Sequence, residues 1–463
     1  MKLWKHQEES VRRFQRQVEA GYKGIALFHE QGTGKTITAI ECASTIPNTR
    51  NILVITPAIT ITNWCREIKS HTGLTACPLV GSAKQRVDAL ESSDAPYTVC
   101  NYESVRIKSL WPSIKSTPWD CIILDESHRI KNPSSQIAKE ILSLCSEAPY
   151  VLVLSGTPIL TSPLDAFTQL KVLEPPDGKL PYSVGYNYYA YRARYFYNNN
   201  SSNPFVSFAD WRIRPGAEKD IAKIIDNRSY RVLKSECLDL PPLVRQTILV
   251  GLTPELQKSY IELEKHFVTN CRGLTVVTDL VLTQMLRLLQ LLSGIVSDGK
   301  ETRLVTTQKH EALKELLPSL VDNHKVIIWA NFVPAISSIQ GICSDLNVPH
   351  ALIMGGQTAS ERQRAIDSFQ TDDSIRVLIA NQAAGGIGVN LTAASYMVYF
   401  AKGYSLEHNQ QSEARCHRGG SEIHQKVTRI DLVTEGTIEE KVNEALANKL
   451  SMAELLLNIG GQR

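Results

Sequence analysis

The chain of 463 residues is 43% hydrophobic, 21% charged and 7% aromatic, with 50 Lys and Arg against 47 Asp and Glu for a net charge of +3. At about 100–200 residues per domain this length predicts two to four domains, and the composition excludes small stapled modules, disordered chains and fibrous repeats. A charge this close to balance does not argue for nucleic acid by itself, so partners have to come from motifs. The longest apolar stretch, Leu280–Val296, is interrupted by Gln284, Arg287 and Gln290, short of the roughly 20 apolar residues that span a bilayer. The opening Met1-Lys2-Leu3-Trp4-Lys5-His6-Gln7 has no apolar signal core. The ten cysteines stand singly, without a Cys-x-x-Cys pair. The expectation is an intracellular protein without a membrane partner, with reduced cysteines and no cysteine metal site.

In chain order, apolar strands alternate with helix-like segments in two blocks, the pattern of parallel α/β layers. The first block predicts strands at Gly24–Phe28, Asn51–Ile55, Tyr97–Cys100, Asp120–Leu124 and Tyr150–Leu154. From about Glu174 to Arg303 the sequence turns Pro-punctuated, aromatic and long-helical, with helices expected over Leu252–Phe267 and Val277–Leu292. Pro241-Pro242 restricts the chain to extended geometry and marks the boundary between a first lobe, 1–240, and a second, 241–463. The second block predicts strands at Lys325–Trp329, His350–Ile353, Ile375–Ala380, Tyr396–Phe400 and Val427–Val433, then a last helix over Ile438–Leu457. No internal repeat or low-complexity tail interrupts this order.

His29-Glu30-Gln31-Gly32-Thr33-Gly34-Lys35-Thr36 follows the first strand and opens a helix. Gly32, Thr33 and Gly34 turn backbone amides toward a phosphate, Lys35 reaches the β and γ oxygens, and the Thr36 hydroxyl ligates Mg²⁺. The strict six-residue loop would have Gly where His29 stands, so this is the Gly-x-Gly-Lys-Thr variant. Asp125-Glu126-Ser127-His128 ends the fourth strand, at the carboxyl edge where open α/β sheets hold ligands. Asp125 suits the Mg²⁺ water shell, and Glu126 suits polarisation of a water in line with the γ-phosphate.

Asp125-Glu126-Ser127-His128 with Arg129-Ile130-Lys131-Asn132 resembles the Walker B segment of superfamily-two helicase-like ATPases, specifically Swi/Snf-type DNA translocases. The resemblance runs along nearly the whole chain. Leu3-Trp4-Lys5-His6-Gln7 is similar to the family's adenine-sensing segment, Thr56-Pro57 with Asn63-Trp64 and Glu67 to motif Ia and its flank, and Asn101-Tyr102-Glu103 to motif Ib. Leu154-Ser155-Gly156-Thr157-Pro158-Ile159 is similar to motif III. In the second lobe Gly355-Gly356, Arg362 and Phe369 match a further family segment. Ala384-Gly385-Gly386-Ile387-Gly388-Val389-Asn390-Leu391-Thr392 matches motif V, Gln411 to Arg418 matches motif VI, and Glu435-Gly436-Thr437-Ile438-Glu439-Glu440 the element after it.

The resemblance implies two RecA-like lobes with helical insertions, ATP and Mg²⁺ as cofactors, and an ATPase coupled to movement along double-stranded DNA. It assigns Gln7 and Gly388 to the nucleotide, and it assigns backbone contacts on nucleic acid to Thr56, Pro57, Tyr102, Gly386 and Thr392. Gln411, Arg415 and Arg418, spaced i, i+4 and i+7, are expected on one helical face, the arginines adding cationic donors to the transition state. Between Tyr182 and Ser235 nine Lys or Arg face four Asp or Glu and interleave with tyrosines. Arg192, Arg194, Arg212 and Arg214 are therefore candidate phosphate contacts, set against the plainer reading that the tyrosines pack helices.

Gly419-Gly420-Ser421 and Tyr404-Ser405-Leu406-Glu407 depart from the family pattern and bear on placement of the arginine loop and on coupling. Asp125-Glu126-Ser127-His128, with Leu154-Ser155-Gly156-Thr157-Pro158 and the Thr168-Gln169-Leu170 that follows, resembles the annealing-helicase branch, and Tyr404-Ser405-Leu406-Glu407 resembles compact prokaryotic or bacteriophage members. The expectation is a monomeric motor in the cytoplasm of a prokaryote or a virus-infected cell, with a nuclear setting left open. Two alternatives stay open: a strand-separating or annealing helicase acting on forked or single-stranded DNA, and a DNA-binding scaffold with a vestigial ATPase.

Overall fold

The computed structural model describes residues 3–156, 158–159, 162–175, 184–185, 187–200, 209–237, 240–266, 268–271, 274–277, 281–298, 300–385 and 390–448. They fall into two compact units, 1–238 and 239–463.

The first unit is built on a seven-stranded sheet in which every pairing is parallel. Its spatial order is Ala76–Pro78, Tyr97–Asn101, Ile52–Thr56, Cys121–Leu124, Tyr150–Leu154, Gly24–His29 and Ser229–Val232. The central strands are continuous Val, Ile and Leu runs with every residue buried, as a parallel sheet covered on both faces requires. Successive side chains alternate between two cores: Ala26 and Phe28 join Leu53, Ile122 and Val151, whereas Ile25 and Leu27 join Val54, Ile123 and Leu152. Phe14, Ile40, Trp64 and Ile68, from the helices Lys5–Glu19, Lys35–Ser44 and Ile61–Thr72, close the second of these cores.

The second unit repeats the plan with six parallel strands, in the order Leu243–Val250, Val427–Thr434, Ala394–Tyr399, Lys325–Ala330, Val377–Asn381 and His350–Ile353. Val326 and Ile328 face the helices Gln308–Val321 and Val333–Asp345 on one side, and Ile327 and Trp329 face Ala359–Thr371 on the other. The α/β class with two parallel sheets is thus the observed architecture.

The stretch between about Glu174 and Arg303 corrects the expectation of purely helical insertion material. Ser229–Val232 returns to pair with Gly24–His29, and Leu243–Val250 pairs with Val427–Thr434, so each sheet gains an edge strand from this stretch. Around them lie the helices Tyr188–Tyr195, Glu218–Arg228, Pro254–His266 and Val281–Leu292. Short antiparallel pairs join Phe196–Asn198 to Trp211–Ile213 and Val268–Cys271 to Leu274–Val277. Beside the phosphate loop, Glu30 N–H donates to Val232 O at 2.9 Å, and Lys234 N–H donates to Glu30 Oε2 at 2.8 Å. The last helix runs Ile438–Ala447, and the rest of the stretch expected to Leu457 lies largely outside the described residues. Among the described residues no helix is long and apolar enough to cross a membrane.

Candidate functional site

Three strands that are neighbours in space end at the site: Gly24–His29 runs into the phosphate loop, Tyr150–Leu154 into Ser155-Gly156, and Cys121–Leu124 into Asp125-Glu126. The parallel arrangement puts these carboxyl ends on one edge of the sheet. Gly32 and Gly34 hold φ of 88° and 82°, the left-handed region that favours glycine. A Cβ on Gly34 would also lie 2.3 Å from Gln7 Nε2, so a side chain there would have to displace the Gln7 amide as well as strain the backbone. Lys35, first residue of its helix, turns its ammonium back to donate to His29 O at 2.9 Å and Glu30 O at 3.3 Å. Thr33 is buried and donates to Glu30 O at 2.7 Å, and Thr36 is half-buried in the first turn.

A test of fit to a phosphate comes from Gly156. A Cβ there would stand 3.4 Å from Lys35 Nζ and 2.9 Å from Gln31 Cγ, so the space beside the lysine is kept open by a glycine of the neighbouring strand end. Ammonium, glycine-lined cradle and an acidic pair on adjacent strand ends suit a magnesium-bound triphosphate.

The helix Lys5–Glu19 braces the loop from behind. His6 Nε2 meets Thr33 O at 2.8 Å, Ser10 Oγ meets His29 Nε2 at 3.3 Å, and Gln7 Nε2 donates to Gly34 O at 3.4 Å while its Oε1 accepts from Trp4 N at 2.8 Å. Gln7, assigned to adenine by resemblance, therefore also ties its helix to the loop. His29 fills the place of the usual loop glycine as a fully buried strand residue. Burial, and then the Lys35 charge, hold its imidazole well below the usual histidine range, so it stays neutral at pH 7.

Asp125 is clamped. Its Oδ2 accepts from Thr56 Oγ1 and from Trp64 Nε1, both at 2.8 Å; its Oδ1 accepts from Glu126 N at 3.0 Å; and its backbone carbonyl accepts from Tyr102 Oη at 2.7 Å. Two residues that resemblance assigns to nucleic acid take part in this clamp: Thr56 and Tyr102 are fully buried and direct their hydroxyls onto Asp125. Pro57 is likewise buried, its carbonyl accepting from Thr60 N and Oγ1. Glu126 takes the left-handed conformation at φ 49°, a strained backbone for a side-chain-bearing residue, and its Oε2 lies 3.4 Å from His128 Nδ1.

Two residues gain a role that sequence reasoning misses. Trp64 stands in the sequence only as the flank of motif Ia, and Gln169 only as part of a branch-specific triplet. Gln169 Oε1 accepts from Ser127 Oγ at 2.7 Å while its Nε2 donates to Pro158 O and Asp165 O at 2.7 and 2.8 Å. One buried amide thus joins the acidic segment to the motif III loop.

In the second unit, the helix Leu406–Cys416 carries Gln411 and Arg415, both buried, with Gln411 Nε2 donating to Glu407 Oε1 at 2.8 Å and Arg415 Nε to Gln411 O at 3.2 Å. Arg418 does not share their helical face, because the helix stops at Cys416 and Gly420 turns with φ 103°. That is a correction to the expected i, i+4, i+7 stripe. Thr392 is buried, its carbonyl accepting from His424 Nε2 at 2.8 Å. Gly386 and Gly388 lie outside the described residues. Behind the helix, Glu413 accepts from Arg429 and Arg245 at 2.7 Å each, and Asp431 binds Arg429 at 3.0 Å and Lys402 at 2.6 Å. Burial pulls the Lys402 ammonium down to about 8 against the opposing pull of Asp431.

The aromatic and basic stretch divides between the two readings weighed for it. Tyr191, Tyr195 and Phe196 are core residues at 3%, 7% and 1% exposure, whereas Tyr189 is 64% exposed. Arg192 stacks over Trp211 at 4.0 Å and Tyr189 at 5.3 Å. Arg194, Arg212 and Arg214 are exposed, with Arg212 paired to Asp210 at 2.9 Å. Tyr182 and Tyr186 lie outside the described residues.

Comparison with known proteins identifies the family. The SNF2-related domain model matches residues 6–301 and the helicase conserved C-terminal domain model residues 308–420. Human chromodomain-helicase-DNA-binding protein 6 is 27% identical over 94% of this chain and 17% of its own length. The ISWI chromatin-remodeling complex ATPase ISW1 of Saccharomyces cerevisiae is 26% identical over 93% of this chain and 38% of its own. The chain thus spans well under half of the curated relatives it matches. A solved SWI2/SNF2 ATPase core from Sulfolobus solfataricus in complex with dsDNA aligns over 97% of this chain and 91% of that one, at 22% identity and a TM-score of 0.45. With one family model covering more than half of its residues, and with the phosphate loop and acidic pair at the ends of the two strands that flank Tyr150–Leu154, the chain belongs to the SNF2-related family of helicase-like ATPases.

Proposed function

We propose that this chain is an ATP-dependent translocase on double-stranded DNA. The observation that carries the reading is the meeting of Lys35, Gly156 and Asp125-Glu126 at the carboxyl ends of three adjacent strands. Lys35 and the amides of Gly32 to Lys35 hold the β- and γ-phosphates of ATP, Thr36 and Asp125 hold Mg²⁺, and Gln7 keeps the helix behind the loop in place for the base. Bound Mg²⁺ neutralises charge that develops between the β- and γ-phosphates. Glu126, fixed by its left-handed backbone, orients the attacking water and takes its proton at a carboxylate oxygen. Arg415 and Arg418 add cationic donors to the transition state, with Gln411 supporting Arg415.

The names of the relatives, a chromodomain-helicase-DNA-binding protein and a chromatin-remodeling ATPase, support DNA as the partner. The exposed Arg194, Arg212 and Arg214 supply contacts to the DNA backbone, which carry little sequence information. The interval from Thr392 to Gln411 holds one strand and the start of one helix, with little room for a pin between separated strands. Tracking along an intact duplex also avoids the stacking loss of about 1.4 kcal/mol per opened step.

The test measures phosphate release with and without duplex, then compares displacement of a triplex-forming third strand with unwinding of a fork. Duplex-stimulated release with third-strand displacement is the expected result. Fork unwinding without displacement would move the protein to the strand-separating class, and absence of turnover to the scaffold class.

A further inference from the structure

The reading of Asp125 as a holder of the metal leaves open which of its oxygens serves. A carboxylate oxygen offers two lone-pair directions. On Oδ2 both are taken, by the Thr56 hydroxyl and the Trp64 indole at 2.8 Å each. Among the described residues, Oδ1 accepts the Glu126 amide alone, at 3.0 Å. The carboxylate is therefore pinned in rotation, with one direction on Oδ1 left for a further donor.

Both pinning groups are committed. An indole N–H is a donor only, and Trp64 is 1% exposed, held in the core by Ile40, Ile61 and Ile68. Thr56 is fully buried with a single proton, and a carboxylate takes it. Any hydrogen bond between Thr56 Oγ1 and Thr60 Oγ1, which lie 2.5 Å apart, must then have Thr60 as donor. Thr60 has a single hydroxyl proton of its own, which Pro57 O accepts at 2.8 Å, so the Thr56 proton on Asp125 is the link that bears on the carboxylate.

We propose, on the basis of the ATPase reading above, that Trp64 and Thr56 are positioning residues: they fill Oδ2 of Asp125 and so dedicate Oδ1 to a water of the metal's hydration shell. The residues that resemblance places in a DNA-contacting segment thereby serve the metal side of the nucleotide site.

The test is metal affinity. Mn²⁺, standing in for Mg²⁺, is titrated into the full chain saturated with ADP, and free Mn²⁺ is read from its electron paramagnetic resonance signal. Trp64→Phe keeps the ring and loses the donor, and Thr56→Val keeps the shape and loses the hydroxyl. Each should weaken Mn²⁺ binding by about tenfold, the low end for partners that orient a metal ligand. Thr56→Ser should bind Mn²⁺ as the unaltered chain does, and ADP affinity without metal should not move. Unchanged Mn²⁺ affinity in both donor-lacking variants, beside an unaltered chain that binds Mn²⁺, overturns the positioning role alone. So does a matching loss of metal-free ADP binding, which is the signature of a general structural defect. Should Trp64→Phe fail to fold, the Thr56 pair decides. An unaltered chain whose ADP complex takes up no Mn²⁺ overturns the reading of Asp125 and this proposal together.

Discussion

The carboxyl edge of the first sheet and the surface from Tyr188 to Arg214 both gather polar residues, and they hold them in opposite ways. At the sheet edge Asp125, Thr56, Trp64 and Tyr102 are buried and joined by hydrogen bonds of 2.7–3.0 Å. On the outer surface Arg194, Arg212 and Arg214 stand in solvent. Their interactions are single ones, such as the 2.9 Å pair to Asp210, of a kind that contributes about 1 kcal/mol or less. The difference separates two kinds of binding. A fixed constellation fails when one member is removed, whereas a solvated cluster fades in proportion to the charge taken away.

The largest expected effect lies at the fixed site. Lys35→Ala should abolish nucleotide turnover, and Glu126→Gln should stop hydrolysis with nucleotide binding intact, as read by phosphate release beside equilibrium binding of a fluorescent ATP. Equal loss of binding in both would contradict the division of roles. Next come Arg415→Ala and Arg418→Ala, each slowing turnover by roughly 10³-fold, the lower range for a transition-state cation, with ATP affinity nearly unchanged. Because Arg418 lies past the helix end, unequal losses would show that the two arginines are not interchangeable.

A third prediction carries the rule of buried groups to the second unit. Burial, with the neighbouring Lys309 charge, holds His310 at about 4, below the unfolded value near 6.5. The unfolded chain then takes up the proton first as pH falls. Stability is full above about 6.5 and drops by roughly 3 kcal/mol on the way to pH 4. Melting temperatures across that range should fall less in His310→Gln. The smallest effect belongs to the solvated surface. Neutralising Arg192, Arg194, Arg212 and Arg214 together should leave DNA-free turnover intact and lower the salt slope of duplex binding by about 0.9 for each DNA phosphate that no longer meets a cation. An unchanged slope would assign the cluster to packing. A collapse of turnover as large as that of Lys35→Ala would erase the distinction between the two regions.

Much of the architecture was legible because buried parallel strands leave unbroken apolar runs, and each such run predicted lies in one of the two sheets. The short edge strand Ala76–Pro78 carries too little pattern to read, and Leu243–Val250 mixes exposed and half-buried residues along an edge. The phosphate loop and acidic pair were legible as residues with a characteristic order. The direction of a side chain was not. Thr56 and Asp125 are far apart in sequence and meet only because their strands are neighbours, so a motif that named Thr56 could not tell an outward hydroxyl from an inward one. The end of the motif VI helix is local: the i, i+4, i+7 spacing suggests about two turns on one face, while the backbone leaves the helix at His417, before Arg418.

The hydrogen bonds joining Glu30 to Val232 and Lys234 have a mechanical meaning. The main chain that leaves the first unit sets out from a seam stitched to the phosphate loop, at both the amide and the carboxylate of Glu30. Whatever displaces Glu30 must carry Lys234 with it or tear the seam. The exit path of the chain is thus tied at two points to the residue that follows the first strand and opens the glycine loop.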